Sequence, residues 1–294
     1  MRKLEWFVAG CALALAIGQA PMAAATDRSM PLPAEVPPVT TGDWYQPPVG
    51  VSWQWQLLVD DDRPLNIAHE ADIYNIDLFN TPVSTIRSLQ AAGRRVICYF
   101  SAGTYENYRQ DRDQFTDTDL GDGLEDWPNE RWLDIRSANV QRIMTERLDL
   151  AAEKGCDAVE PDNVQGYLEP TGFALSAEHQ LAYNRFIANQ ARQRGLGVGL
   201  KNDLEQVEAL VDYYDFSINE QCFQYNECDL LLPFIQAGKP VLHAEYPGEE
   251  GGLPLSDSSV EALCDAANKL QFSTLVLPVE LDDSFRIACQ NQRL

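Results

Sequence analysis

Histidine is scarce in this 294-residue chain, with three in all, and none stands at zinc-ligand or nucleophile-pairing spacing from a cysteine. That argues against a metal centre and against a Cys–His nucleophile. Basic residues are also few: 22 Lys and Arg face 45 Asp and Glu, for a net charge of −23 and a pI near 4.3. Nucleic acid is therefore not the expected partner, because phosphate binding needs basic patches. No Gly-x-Gly-x-x-Gly or Walker loop follows the first strand-like run, so nucleotide binding has no support. Apolar and aromatic residues are plentiful, at 45% and 10%, enough to fill a substantial core.

The one long apolar run, residues 7–17, follows a basic start and leads to Met22-Ala-Ala-Ala25. This pattern reads as a secretory signal peptide over residues 1–25, too short and too weakly flanked for a membrane span. Residues 26–48 are rich in Pro and Thr and read as a linker, leaving 49–294 as a single domain. Beyond the signal, six cysteines remain, an even number that suits disulfides in an exported protein. Cys222 with Cys228 and Cys264 with Cys289 each close a modest loop. Cys98 and Cys156 lie in apolar, strand-like segments and fit a bridge or buried thiols equally well.

Strand-like runs at 53–57, 72–79, 95–100, 157–160, 197–201, 214–219, 240–245 and 273–278 alternate with helical patterns. The helices are expected at 83–92, 138–154, 177–194, 204–212, 229–237 and 258–270. Gly93, Gly155, Gly195 and Gly238 stand where helices should end, the place for a left-handed cap. Eight strands in this rhythm predict an α/β fold, a (β/α)8 TIM barrel.

In such barrels the active site forms where strands end and loops lead into helices. The residues gathered there are Trp55, Asp77, Tyr99, Ser101, Glu160, Asp162, Asn163, Lys201, Asn202, Glu220, Glu245 and Tyr246. Asp162 and Glu220 fall on one rim. Paired carboxylates with aromatics and amides around them are what cleavage of a glycosidic bond requires: an acid for the leaving oxygen, and a carboxylate as nucleophile or base. Asp162, beside Asn163 and Lys201, is expected to stay ionised. Glu220 is expected to donate a proton if its surroundings are the more apolar.

The segments WQWQL, ICYFSAGTYENYR, ERWLDIR, CDAVEPDNVQGY, GLKND and SINEQC resemble, in order and spacing, glycoside hydrolase family 114, the endo-α-1,4-polygalactosaminidases. The resemblance covers roughly residue 44 to the C-terminus. It implies a TIM barrel that hydrolyses α-1,4-linked galactosamine polymers of the galactosaminogalactan type; no cofactor is expected, and with the leader the protein is expected to be secreted, as a monomer. Asp162 and Glu220 match the catalytic acids. Asp77, Tyr99, Ser101, Asp134, Asn163, Lys201 and Asn202 match positions expected to line the groove. Asn75 departs from an expected Asp-Ile-Asp. A cationic amino-sugar polysaccharide would be drawn to an acidic cleft, with Asp77, Asp134, Glu160 and Glu245 expected to meet its amines.

Three other readings stay open at this level. They are a carbohydrate-binding barrel without turnover, a metal-dependent hydrolase using the rim carboxylates, and a Schiff-base enzyme built on Lys201.

Overall fold

The computed structural model describes residues 36–60, 62–248 and 256–291. The expected signal peptide and the first part of the expected linker lie outside them. Parallel strands follow one another in space in chain order: β1 (Trp53–Gln56), β2 (Ile73–Asp77) and β3 (Arg95–Ser101). An insertion follows, made of β4 (Thr104–Glu106), β5 (Leu120–Gly123) and β6 (Glu130–Leu133), which form an antiparallel sheet of their own. The main sheet resumes with β7 (Ala158–Asp162), β8 (Gly197–Lys201), β9 (Phe216–Glu220), β10 (Val241–Glu245) and β11 (Ser273–Val276). The intervening helices are α1 (Val83–Ala91), α2 (Ala138–Lys154), α3 (Ala177–Gln193), α4 (Val207–Leu210), α5 (Cys222–Tyr225), α6 (Leu232–Gln236) and α7 (Asp257–Lys269).

The sheet curls until its ends meet. Trp53 Nε1 on β1 donates to Ser273 O on β11 at 2.8 Å, and Ser273 Oγ donates to Val51 O at 2.6 Å. A short strand, β12 (Ile287–Ala288), pairs antiparallel with β11, and Arg286 nearby donates to Trp53 O, so the C-terminal segment seals the seam. The result is the (β/α)8 barrel that the alternation predicts.

Side chains sort by strand alternation. Trp53, Trp55, Ile73, Ile97, Ala158, Phe216, Ile218, Leu242 and Ala244 fill the barrel interior. Their neighbours Tyr74, Val96, Cys98, Val159, Val198 and Leu200 face outward and pack against Ile86, Ile143, Met144 and Ile187 of the helices. Helix α2 starts at the cap Ser137, whose side chain accepts from Asn139 N and Val140 N, and stops at Gly155 with φ 84°. These two signals place the following strand, β7, and hence Asp162 at its end.

The eight barrel strands fall where the sequence pattern puts them, but two features differ from it, and one open alternative is resolved. The insertion sheet was not expected, because its strands are three or four residues long and Leu120-Gly-Asp-Gly123 carries no apolar alternation. Residues 36–48, expected as linker, run along the barrel. Val39 N donates to Asn189 Oδ1, and Trp44 Nε1 donates to Asp215 Oδ1 at 3.0 Å while the Arg192 guanidinium stacks on the Trp44 ring. Composition misled there because two aromatic anchors, Trp44 and Tyr45, outweigh the surrounding Pro and Thr. Of the two alternatives left for Cys98 and Cys156 the structure has the bridge, alongside the expected Cys222–Cys228 and Cys264–Cys289.

Cys98–Cys156 spans a sequence separation of 58 residues and ties β3 to the turn before β7, on either side of the insertion. Closing a loop of that size restricts the unfolded chain by on the order of 4 kcal/mol. We expect Cys98→Ala/Cys156→Ala to lose stability of that order in urea unfolding. Loss of the Cys222–Cys228 bridge, with a separation of 6, should cost less.

Candidate active site

Three adjacent strands end in a charged residue that points into the barrel mouth: Asp162 on β7, Lys201 on β8 and Glu220 on β9. The Lys201 ammonium lies 3.0 Å from Asp162 Oδ1, 3.1 Å from Glu220 Oε2 and 3.6 Å from Glu160 Oε1. Its side chain is 4% exposed, against 16% for Asp162 and 24% for Glu220. Lysine is thus the hidden centre, and the two carboxylates are what solvent or a substrate meets. Because one nitrogen touches both, the two nearest carboxylate oxygens stand no more than about 6.1 Å apart.

Each carboxylate has further donors. Asp162 accepts from Tyr99 OH at 3.0 Å and from the backbone N–H of Asn163 at 2.7 Å. Glu220 accepts from Tyr246 OH at 2.5 Å and from Asn202 Nδ2 at 3.1 Å. Burial alone would push Glu220 up, but Lys201, Tyr246 and Asn202 outweigh it and hold the carboxyl below its usual range. Burial likewise pulls Lys201 down, and the surrounding carboxylates overcome it, so the amine stays charged. Tyr99 and Tyr246 are held as neutral phenols, first by burial and then by the carboxylate each one touches.

The backbone is bent for this purpose. Asn163, Asn202 and Gln221, the residues directly after the three charged ones, have φ of 59°, 48° and 61°. Left-handed conformations cost a non-glycine residue roughly 1 kcal/mol each, and they gather at sites where direction matters more than stability. Asn163 is braced from beside: its Nδ2 donates to Ser101 Oγ, and Gly103 lies so close that a Cβ there would stand 1.7 Å from the Asn163 carbonyl oxygen. Asn202 Oδ1 in turn accepts from Glu220 N at 3.0 Å, so the turn after β8 holds the end of β9.

Of the residues gathered from sequence, the structure brings together Tyr99, Asp162, Lys201, Asn202, Glu220 and Tyr246. Trp55 lies below, its ring 5.2 Å from Lys201 Nζ, and Ser101 supports Asn163. Four acids expected to meet substrate amines are otherwise engaged. Asp77 pairs with Arg109 at 2.7 Å, and Asp134 with Arg136 at 2.8 Å. Glu245 points to the far side of β10, where it contacts His243 Nε2 at 3.1 Å and accepts from Phe223 N. Glu160 is fully buried beneath Lys201. Strand alternation explains Glu245: its neighbours Ala244 and Tyr246 face the interior, so residue 245 must face out.

Glu245 also belongs to the group of potential metal ligands found among the described residues, with Cys222 and His243, whose ligand atoms lie within 4.8 Å of one another. The Cys222 sulfur is bonded to Cys228 and offers no thiolate. Sequence reading under-rated one residue, Asn75, whose Nδ2 donates to Glu160 Oε2 at 2.5 Å. Its position on β2, on the same face as Asp77 and two residues before it, was the available signal.

A curled parallel sheet with a carboxylate pair at its C-terminal rim defines a barrel hydrolase of the glycosidase class. The chain belongs to glycoside-hydrolase family GH114, whose family model matches residues 34–293. It is similar to Aspergillus fumigatus Ega3, solved in complex with galactosamine: 45% identity, TM-score 0.79, covering 85% of this chain and 99% of that one. The glycoside hydrolase domain of PelA from Pseudomonas aeruginosa shares the fold at 14% identity and TM-score 0.62, over 81% of this chain and 98% of that one. Comparison with curated proteins finds no match.

The short Tyr246–Glu220 hydrogen bond carries a direct expectation. A bond to a charged acceptor is worth about 1.5–3 kcal/mol. Removing it in Tyr246→Phe withdraws support from the anion, so the Glu220 carboxyl should titrate at higher pH than in the parent. Carboxyl-carbon NMR titration of the variant against the parent reads this, and an unmoved resonance would disprove the coupling.

Proposed function

We propose that the protein is an endo-acting hydrolase of α-1,4-linked galactosamine polymers, with Asp162 as nucleophile and Glu220 as acid and base. The observation that carries this reading is the pair of carboxylates held around Lys201. With Lys201 Nζ 3.0 Å from Asp162 Oδ1 and 3.1 Å from Glu220 Oε2, the facing oxygens are no more than about 6.1 Å apart, a close pairing that supports a retaining double displacement. Asp162 attacks the anomeric carbon while Glu220 protonates the departing glycosidic oxygen. Water, deprotonated by Glu220, then releases the sugar from Asp162.

Glu220 in the free protein is held in the base form that the second half needs, so its proton for the first half is taken up with substrate. Lys201 balances the charge of the pair, Tyr99 and Asn163 keep Asp162 aimed, and Tyr246 and Asn202 do the same for Glu220. The solved complex of Ega3 with galactosamine supports an amino sugar as the unit recognised. Three disulfides fit an oxidising compartment, which with the expected leader at residues 1–25 supports export.

On purified, partly deacetylated α-1,4-galactosamine polymer, the parent should release oligosaccharides, and Asp162→Asn and Glu220→Gln should each lose at least about a thousandfold in kcat. Proton NMR of the first product formed should show the α-anomer. A β-anomer would overturn retention, and polymer binding without release would favour a non-catalytic barrel.

A further inference from the structure

Below the catalytic pair lies a carboxylate with no route to solvent. Glu160 stands on β7 two residues before Asp162, points into the barrel, and is 0% exposed. One of its oxygens takes the hydrogen bond from Asn75 Nδ2. The other, Oε1, has no hydrogen-bond partner and only the Lys201 ammonium at 3.6 Å, further than that ammonium stands from either catalytic carboxylate. Around it, β2 presents neutral Asn75, β3 the phenol of Tyr99, β8 Lys201, β9 Glu220 and β10 Tyr246, with Asp162 above. One cation therefore faces three carboxyl groups. Two full charges already lie against it at salt-bridge distance, and a third buried charge would go uncompensated.

We propose that Glu160 works as a neutral carboxylic acid, a positioning residue whose proton leaves Lys201 to the two catalytic carboxylates. This rests on the glycosidase reading of Asp162 and Glu220. Its burial pushes Glu160 up to about 8, against the pull of Lys201 and Asn75. When that proton leaves, Glu160 competes for the ammonium from below. Lys201 is drawn inward, and the catalytic pair loses the charge that holds it together. Glu160 is thus a built-in limit on the alkaline side of activity, separate from the titration of the reacting groups.

The expected result lies in a ratio. Activity of Glu160→Gln relative to the parent, on the same polymer, should stay within about threefold of its acid-side value up to neutrality. It should then climb about tenfold per pH unit above the Glu160 break, because glutamine cannot lose the proton. Using the ratio cancels the titration of the substrate and of Glu220.

A second readout needs no turnover. Burial also pushes Glu130 and Asp203 up to about 7, so the signal is read as a difference: the parent-minus-Glu160→Gln infrared spectrum should show a neutral carboxylic acid band at about pH 6 that is lost on raising the pH by about three units. Stability should follow the same sign. Glu160 has a folded pKa above its unfolded one, so its contribution is fully present below the unfolded value near 4.3 and lost as pH rises through about 8. The glutamine variant should lack that decline in urea unfolding.

A flat activity ratio, or an infrared spectrum without the Glu160 band at about pH 6, would overturn the proposal. If the band is present but no polymer is cleaved, the neutral acid stands and the glycosidase reading fails.

Discussion

One ammonium group organises the rim of this barrel. Lys201 is almost buried, and a buried lysine without partners would give up its proton. Here Asp162 and Glu220 lie at 3.0 and 3.1 Å, so the charge stays, and each carboxylate is in turn held by a phenol and by a donor from an asparagine. Removing the lysine would leave two anions facing each other across a few ångströms. Its side chain rests against Trp55 in the barrel interior, so the electrostatics of the rim and the packing of the core meet in one residue.

The strain at Asn163, Asn202 and Gln221 follows from the same arrangement. Parallel strands end pointing out of the barrel, and three consecutive strands must turn sharply there to aim three charged groups at one another. Left-handed backbone achieves this, and the cost falls on neighbours that brace it: Gly103 against the Asn163 carbonyl, Ala102 N and Gly103 N on Asp162 O, Gln221 N on Ala244 O. The Cys222–Cys228 bridge pins the loop that starts two residues beyond Glu220. Stability is given up locally and regained through links to the adjacent strands.

The acidity of the chain has a divided explanation. Asp77 and Glu106 share Arg109, Asp111 pairs with Arg147, and Asp215 with Arg192, all in or near the interior and all structural. What remains open to solvent at the mouth is the pair itself, together with the general field of an acidic surface, which attracts cations and weakens with salt.

Sequence alone was enough for the barrel and for placing Asp162 and Glu220 together at one rim. Strand–helix alternation, caps such as Ser137 and Gly155, and polar residues at strand ends are local signals, readable one segment at a time. It did not determine which acids face the mouth. Glu245 and Glu160 both sit near strand ends among apolar residues, yet strand alternation turns the first outward to His243, and depth hides the second beneath Lys201. Nor did it determine the Asn75–Glu160 contact or the Cys98–Cys156 bridge, whose partners lie 85 and 58 residues apart. Pairings of that range depend on how strands register around a closed barrel, and closure is a property of the whole sheet that no single segment carries.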